Sequence, residues 1–467
     1  MITTQAIVIG ASMAGLLAAR VLRDHFDQVT IIERDRLPEG PEFRPGVPQA
    51  RHAHALLAQG QQIMEDLFPG LKDDFVEMGA PEMAWGMDTA MRTAGGWVKR
   101  FDSGIQTNVC TRVALEWHVR RRLLQYANVR IVQERQVKRL LTDDTRATIT
   151  GVEIETRQGE NPEALHADLI VDASGRNSRT PEWLQTLGYD APEETIVNAH
   201  LGYATRWYEV PPDFEHDWVV MTVGTQPDTG YLRGGGIFEV EGGRWLVILA
   251  GTNKDYPPTD DSAFLEFAQT LPSLALYDAI KDAKPISPVY GYRRTENLHH
   301  HYERLARFPE RFVVIGDAYC GFNPIYGQGM TVAALDALAL DGLLKERGTA
   351  NLNGFGMAAH KRLAQTVRNA WLMATGEDLR YPLTEGQRPG VMDRLTQKYL
   401  DLLLRALVDD EAAALAFMQA MNLTRPPSSL FHPAIVWRVL RARLRPRRDP
   451  QRNTPRQGYR RQSTPAS

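Results

Sequence analysis

Cysteine is nearly missing from this 467-residue chain: Cys110 and Cys320 are the only two, far apart and outside any CxxC or Cys/His spacing. That argues against a disulfide framework and a structural zinc module, and leaves each thiol as a small apolar residue suited to a core. Long hydrophobic runs are also lacking. The most apolar stretch near the start, AIVIGASMAGLLAARVL, is broken by small residues and has no basic flank ahead of it. Neither a signal peptide nor a membrane-spanning helix is expected there, and the protein is expected to be cytoplasmic. There is no internal repeat, no Ser/His/Asp arrangement and no paired-carboxylate pattern. Charge of one sign is scarce overall, at a net −3, yet Arg438 to Arg461 hold ten arginines and one acid, Asp449, so the rest of the chain carries −12. An acidic body argues against a nucleic-acid partner. The basic end, 436–467, reads as a disordered, solvated tail or, through IVWRVLRARL (435–444), as a helix laid on an anionic membrane surface.

What is present fits a soluble globular protein of two or three domains, with 43% hydrophobic and 24% charged residues. The start predicts strand, turn, helix and strand: Ala6 to Ile9, then GASMAG, then a stripe of Met13, Leu16, Leu17 and Val21, then VTIIE at 29–33. In GASMAG, Gly10 and Gly15 keep two glycines of the dinucleotide-binding fingerprint, and Ser12 replaces the third. Gly10 allows the tight turn, Gly15 lets the helix approach the sheet with its N-terminus toward a pyrophosphate, and Glu33 stands where a carboxylate takes ribose hydroxyls.

Two later apolar strands deliver acids in the same way: ADLIVDASGRNS brings Asp172, and FVVIGDAYCGFNPIYGQGM brings Asp317. Both strands are hydrophobic throughout, as central strands of a parallel sheet are, and their carboxyl ends would line one crevice. Residues of about 196–300 differ in texture, with β-rich runs (NAHLGYATRWYEV, DWVVMTV, GGGIFEV, RWLVILAG) between Gly and Pro turns. The end of the chain is helix-rich, near 355–375, 391–407 and 410–421. The expected class is α/β: a Rossmann-like nucleotide-binding domain over 1–190 and 305–350, an inserted, mostly antiparallel β domain at 191–304, a helical region at 351–435 and the basic tail.

These motifs, in this order, resemble the single-component FAD-dependent monooxygenases of the aromatic-hydroxylase superfamily. The mid-chain motif departs from the family's direct Asp-Gly, with Ala173 and Ser174 before Gly175. GASMAG, the ERD that holds Arg34, RPGVPQARHAH (44–54), YATRWYEVPP, EGGRWLV and GFNPIYGQGM are most similar to the flavin epoxidases of polyether antibiotic assembly. The resemblance implies bound FAD. Asp317 would hold its ribityl hydroxyls, Arg112 its phosphate or ribityl region, Val137 the adenine through its backbone, with Asp172 and Arg34 also at the cofactor. Backbone N–H groups of Gly327, Gln328, Gly329 and Met330 would face the flavin's pyrimidine edge, where reduced flavin carries negative charge. Pro324 would stiffen that loop. Arg44, with Gln49, would contact flavin or nicotinamide and, like His54, is a catalytic candidate. His52 and His54 read either as a proton relay or as caps; a metal site is not expected, since no third ligand lies nearby. NADPH or NADH would bind transiently, there being no second fingerprint. O2 would add at flavin C4a, and the hydroperoxide would epoxidise or hydroxylate a small apolar substrate. Tyr203, Trp207, Tyr208, Trp218, Phe238 and Trp245 would wall the pocket. A flavin dehydrogenase or prenyl reductase would carry the same motifs; a flavin halogenase is disfavoured by the lack of a WxWxIP stretch.

Overall fold

The computed structural model describes residues 3–443 and 454–455. Five parallel strands form the first sheet, in the order Phe312–Val314, Leu169–Asp172, Gln5–Ile9, Gln28–Ile32 and Val129–Val132. Their interiors are apolar on both faces because helices cover both: Val8, Leu16, Leu17, Ile170 and Val313 are all fully buried in one core. Helix Met13–Leu22 follows the first strand through the fingerprint, as predicted. A three-stranded meander, Gln136–Thr142, Ile149–Glu155 and Glu163–His166, fills the crossover.

The expectation that both acid-bearing strands are central holds for Leu169–Asp172 and fails for Phe312–Val314, which is the edge of this sheet. The edge is covered rather than exposed. Helix Phe355–Asp378 lies along it, and the fully buried His360 accepts the Val314 N–H through Nε2 at 3.0 Å. An imidazole thereby satisfies a backbone donor that a further strand would otherwise take. Burial holds that ring neutral, with its pKa near 3, against the pull of Glu303.

The second sheet has seven strands: Tyr290–Tyr292, Gly202–Glu209, Arg244–Gly251, Arg233–Val240, Val220–Val223, Thr89–Thr93 and Gly96–Trp97. The last two come from the segment assigned above to the nucleotide-binding domain, and Thr89–Thr93 pairs in parallel with Val220–Val223. The β domain is therefore not one insert at 191–304. Its two faces differ: Ala204, Tyr208, Trp218, Trp245 and Val247 pack beneath helices Asp261–Gln269 and Ala275–Ile280. The alternate residues Tyr203, Ile248 and Ala250 face Ala53 and Tyr292. Period-two alternation thus sends Tyr208 and Trp245 away from the pocket expected for them, Trp218 packs with those two, and Tyr203, Trp207 and Phe238 of the six named residues lie on the side of Ala53. Trp207 packs in a third core with Leu246, Leu403 and Leu407.

That third core is where the C-terminal helices Val391–Ala406, Glu411–Met421 and Pro433–Arg443 close over the sheet. The last helix crosses the boundary expected at 435/436. Val439 is buried against the body, while Trp437 and Leu440 are exposed. Residues 436–443 are thus helical and partly packed; the other readings of the basic tail fall on 444–467, which apart from 454–455 lie outside the described residues. No helix among the described residues is long and apolar enough to cross a membrane.

Candidate functional site

The carboxyl ends of three strands meet at one place. Gly10, at φ +100°, lies so close to the mid-chain motif that a Cβ there would sit 2.7 Å from the Ala173 carbonyl oxygen. Gly316, at φ +60°, would meet the Ala14 side chain at 2.7 Å. Arg176 spans the remaining gap. Its guanidinium donates to the carbonyls of Glu296 (2.8 Å) and Phe322, and lies 3.7 Å from the Asp317 carboxylate. Arg176 was not predicted as a site residue, because its partners lie more than a hundred positions away.

Behind the fingerprint sits a buried cluster of charge. Arg44, 7% exposed, pairs with Asp35 (3.0 Å), Glu116 (3.0 Å) and Glu33 (3.2 Å), and donates to the Ala11 carbonyl at 3.2 Å. Burial alone would lower its pKa; the three acids outweigh that and raise it. These partners all lie at the fingerprint end, where Arg44 braces the nucleotide loop. Glu33 accepts the N–H groups of Ala11 (2.8 Å) and Asp35 (2.9 Å), so it braces the loop and retains acceptor capacity for a ribose. Arg34 is exposed and turns away from the cluster; its neighbour Asp35 takes the inward place. Val137 is buried on strand Gln136–Thr142, two residues past Arg135, whose N–H bonds the Glu33 carbonyl at 3.0 Å.

Helix Arg112–Leu123 starts at the same cluster, capped by Thr111, whose Oγ1 accepts the Ala114 N–H at 3.2 Å. Arg112 donates to Ser12 Oγ (2.9 Å) and pairs with Glu116 (2.7 Å). Its Nη1 is buried without a partner. Burial pushes the Glu116 carboxyl up, but Arg112 and Arg44 more than offset this and hold it below its ordinary value.

Asp172 is a correction. Its carboxylate is fully buried and accepts from Ser174 N (2.9 Å), Ser178 Oγ (2.5 Å) and Thr180 Oγ1 (2.6 Å). It clasps its own turn and the start of helix Thr180–Leu187, leaving the cofactor contacts to its neighbours. Asp317 is different: its side chain is 40% exposed at the crevice, with Arg176 as its ion-pair partner at 3.7 Å.

The loop after Asp317 is built as a cradle. Pro324–Tyr326 form one 3-10 turn capped by Asn323, Gly327 takes φ +66°, and helix Gly329–Arg347 begins. A Cβ on Gly327 would come within 3.0 Å of Ala55, so this loop faces the His52–Ala55 segment. Gln328 and Thr331 are buried, with Gln328 Oε1 and Thr331 Oγ1 unpartnered; Met330 packs into the core. Asp378 anchors the loop from behind, accepting from Asn297 (2.6 Å), Asn323 (3.1 Å) and Tyr326 Oη (2.6 Å). Burial raises its pKa to about 6 against those bonds. None of Arg176, Asp378 and Asn297 carries a local sequence signal.

Asp336, one helical turn and more into the helix, is fully buried; Oδ2 accepts the Gly316 N–H at 3.1 Å and Oδ1 has no partner. Burial raises its pKa from 3.8 to about 7, partly countered by that N–H. A raised folded-state pKa favours the native state in acid, fully so below about 4. That stability is lost as pH rises toward 7. Asp336→Asn, which cannot ionise, is expected to match the parent protein in thermal melts near pH 4 and to exceed it by a margin that grows to about 4 kcal/mol by neutral pH. Parallel pH profiles for the two proteins would rule out this titration.

His52 donates to or accepts from Thr205 Oγ1 at 2.8 Å and stands edge-on to Tyr203, which stacks on Tyr292. Burial, then the charges of His54 and Arg51, lower its pKa to about 3. His54 Nδ1 lies 3.0 Å from the His52 carbonyl, an acceptor only, so Nδ1 carries the hydrogen and Nε2 the lone pair. Burial and the positive charge of Arg112 lower the His54 pKa to about 4. Beside this aromatic wall opens a cavity of about 330 Å³, lined by Tyr203, Tyr256, Thr259, Tyr292 and Arg293.

An FAD molecule fits these features: close-packed glycines for the pyrophosphate, an unpartnered buried guanidinium N–H at Arg112, an available carboxylate at Asp317, and unpartnered Gln328 and Thr331 oxygens beside the cradle. The sequence comparisons agree. Residues 3–370 match the model of the FAD binding domain family. The protein Rv3254 of Mycobacterium tuberculosis is 34% identical over 436 residues, covering 90% of this chain and 89% of its own. The kynurenine 3-monooxygenase of Salinispora tropica is 24% identical over 349 residues, 72% of this chain and 71% of its own. Among solved structures, the flavin-dependent brominase Bmp2 superposes with a TM-score of 0.65 at 15% identity, over 94% of this chain and 98% of that one, a likeness of fold alone.

Proposed function

This chain belongs to the FAD-binding-domain family, within the aromatic-hydroxylase superfamily of flavoprotein monooxygenases, and on that premise we propose that it uses NAD(P)H and O2 to epoxidise or hydroxylate an apolar organic substrate. The observation that carries the reading is that the loop after Asp317, at Gly327, faces the His52–Ala55 segment, whose His52 ring stands edge-on to the Tyr203–Tyr292 wall and its cavity. Bound FAD supplies the redox chemistry and the activation of oxygen. The chain supplies the rest. Asp317 and Arg112 hold the cofactor's hydroxyls and phosphate. Backbone N–H groups at the start of helix Gly329–Arg347 favour negative charge at the flavin's pyrimidine edge. The buried aromatic wall orients an apolar substrate and keeps water out, so that oxygen reaches carbon before it is lost as peroxide. His54, held neutral by burial and by Arg112, offers its Nε2 lone pair as a hydrogen-bond acceptor rather than as a strong base.

Purified FAD-loaded protein, given NADPH or NADH, 18O2 and a panel of apolar alkenes and arenes, is expected to yield a product carrying one 18O atom, with coenzyme consumption coupled to product. Coenzyme-reduced flavin that instead saturates a substrate double bond, or oxidised flavin that desaturates one, with no label in any organic product, would replace this reading by a dehydrogenase or prenyl reductase.

A further inference from the structure

One cluster of metal-binding side chains lies outside the cofactor residues. His299 and His301 stand two positions apart where strand Asn297–His300 ends, with ring centroids 4.1 Å apart, and Glu303 follows in the turn Tyr302–Arg304. One nitrogen from each ring and one carboxylate oxygen lie within 4.8 Å of one another. His299 is 7% exposed and its Nε2 is buried without a partner. His301 is held by Thr195 Oγ1 at Nε2 (2.8 Å) and by Glu303 at Nδ1 (2.9 Å), and Tyr319 Oη donates to the other Glu303 oxygen at 2.9 Å. The His301 ring is thus oriented by surrounding bonds, as ligating histidines are, while His299 keeps an uncommitted nitrogen.

We propose that His299, His301 and Glu303 bind a divalent transition cation of the zinc type, with solvent completing its shell. Two imidazoles and a carboxylate suit such an ion and suit magnesium or calcium poorly. Bonds of about 2.1 Å require the three donors to draw together modestly, with Glu303 exchanging its His301 bond for the cation. The charges facing the cluster are mixed. Arg304 lies 3.7 Å from Glu303, but it is exposed and also pairs with Glu193 at 3.0 Å. His300, on the other face of the strand, lies 3.2 Å from Glu194. The bound ion would tie this strand to Tyr319, two residues past Asp317, without touching the residues that hold flavin.

The test uses tag-free, FAD-loaded, chelator-treated full-length protein, titrated with Zn2+ by calorimetry and with Co2+ by visible absorption. One equivalent of each is expected, with the Co2+ spectrum of a tetrahedral nitrogen–oxygen site. His299→Gln and Glu303→Gln should each weaken binding about 100-fold, while His300→Gln binds as the parent does and all three keep their FAD. Absence of stoichiometric binding, or binding retained in both His299→Gln and Glu303→Gln, would overturn the site. Glu303→Gln keeps the shape of the side chain and so tests the site even where His299→Gln folds poorly.

Discussion

Alanine in place of Gly15 is expected to give a colourless protein. A Cβ at this position would lie 1.8 Å from the Gly10 carbonyl oxygen and 3.0 Å from its carbon, both backbone atoms that no side-chain rotation can move. The first turn of helix Met13–Leu22 must then retreat from the loop it shares with strand Gln5–Ile9. Space is lacking on the helix's other side, where Leu16, Leu17 and Ala18 are fully buried. Overpacking of this kind costs about 3 kcal/mol, and the retreat also pulls the helix N-terminus off the pyrophosphate. Flavin absorbance relative to protein absorbance in the purified variant, with the melting temperature beside it, measures both effects. A yellow Gly15→Ala protein with parental stability would mean that the fingerprint packs differently from this structure.

The reach of the sequence follows the distance over which its signals act. Gly10, Gly15 and Glu33 are legible because the spacing of a strand–turn–helix unit is local, and each falls where its spacing places it. Asp317 and the glycines after it are legible for the same reason. Asp172 has the same local pattern as Asp317, an acid at the end of an apolar strand, yet one clasps its own turn and the other faces the crevice. Ser178 and Thr180, placed to bond back to the carboxylate, are the difference, and Asp317 has no such hydroxyls after it. Strand Thr89–Thr93 is not legible in the sequence, because its partner lies about 130 positions away and pairs in parallel. Trp245 was misplaced for another reason. Strand Arg244–Gly251 is buried on both faces, so its sequence shows no alternation from which the pocket side can be chosen. Arg176 and Asp378 gather partners from several segments, and nothing within a short window marks them.

Arg112→Met is expected to lose FAD affinity by about two orders of magnitude with only a modest loss of stability. Methionine keeps much of the buried apolar stem but none of the guanidinium. Two losses follow from the geometry. The unpartnered Nη1, the group best placed for a phosphate or ribityl oxygen, is gone, and a hydrogen bond to a charged group contributes about 1.5–3 kcal/mol. Glu116, which is buried and shared between Arg112 (2.7 Å) and Arg44 (3.0 Å), is left with Arg44 as its charged partner beside the Ser12 hydroxyl (3.2 Å). Its pKa should then rise, since burial already pushes it up and one of the two charges opposing that push has been removed. At neutral pH an acid held less firmly beside Ser12 repels the pyrophosphate that Arg112 would have drawn in. The two effects act in the same direction, and about 2.7 kcal/mol between them corresponds to 100-fold in the dissociation constant. Flavin titration of the apoprotein at several pH values separates them. Affinity should recover partly toward acid pH in Arg112→Met as Glu116 protonates, and should not do so in the parent protein. A variant that binds FAD as tightly as the parent would remove Arg112 from the cofactor site and leave it as a partner of Glu116 and Ser12.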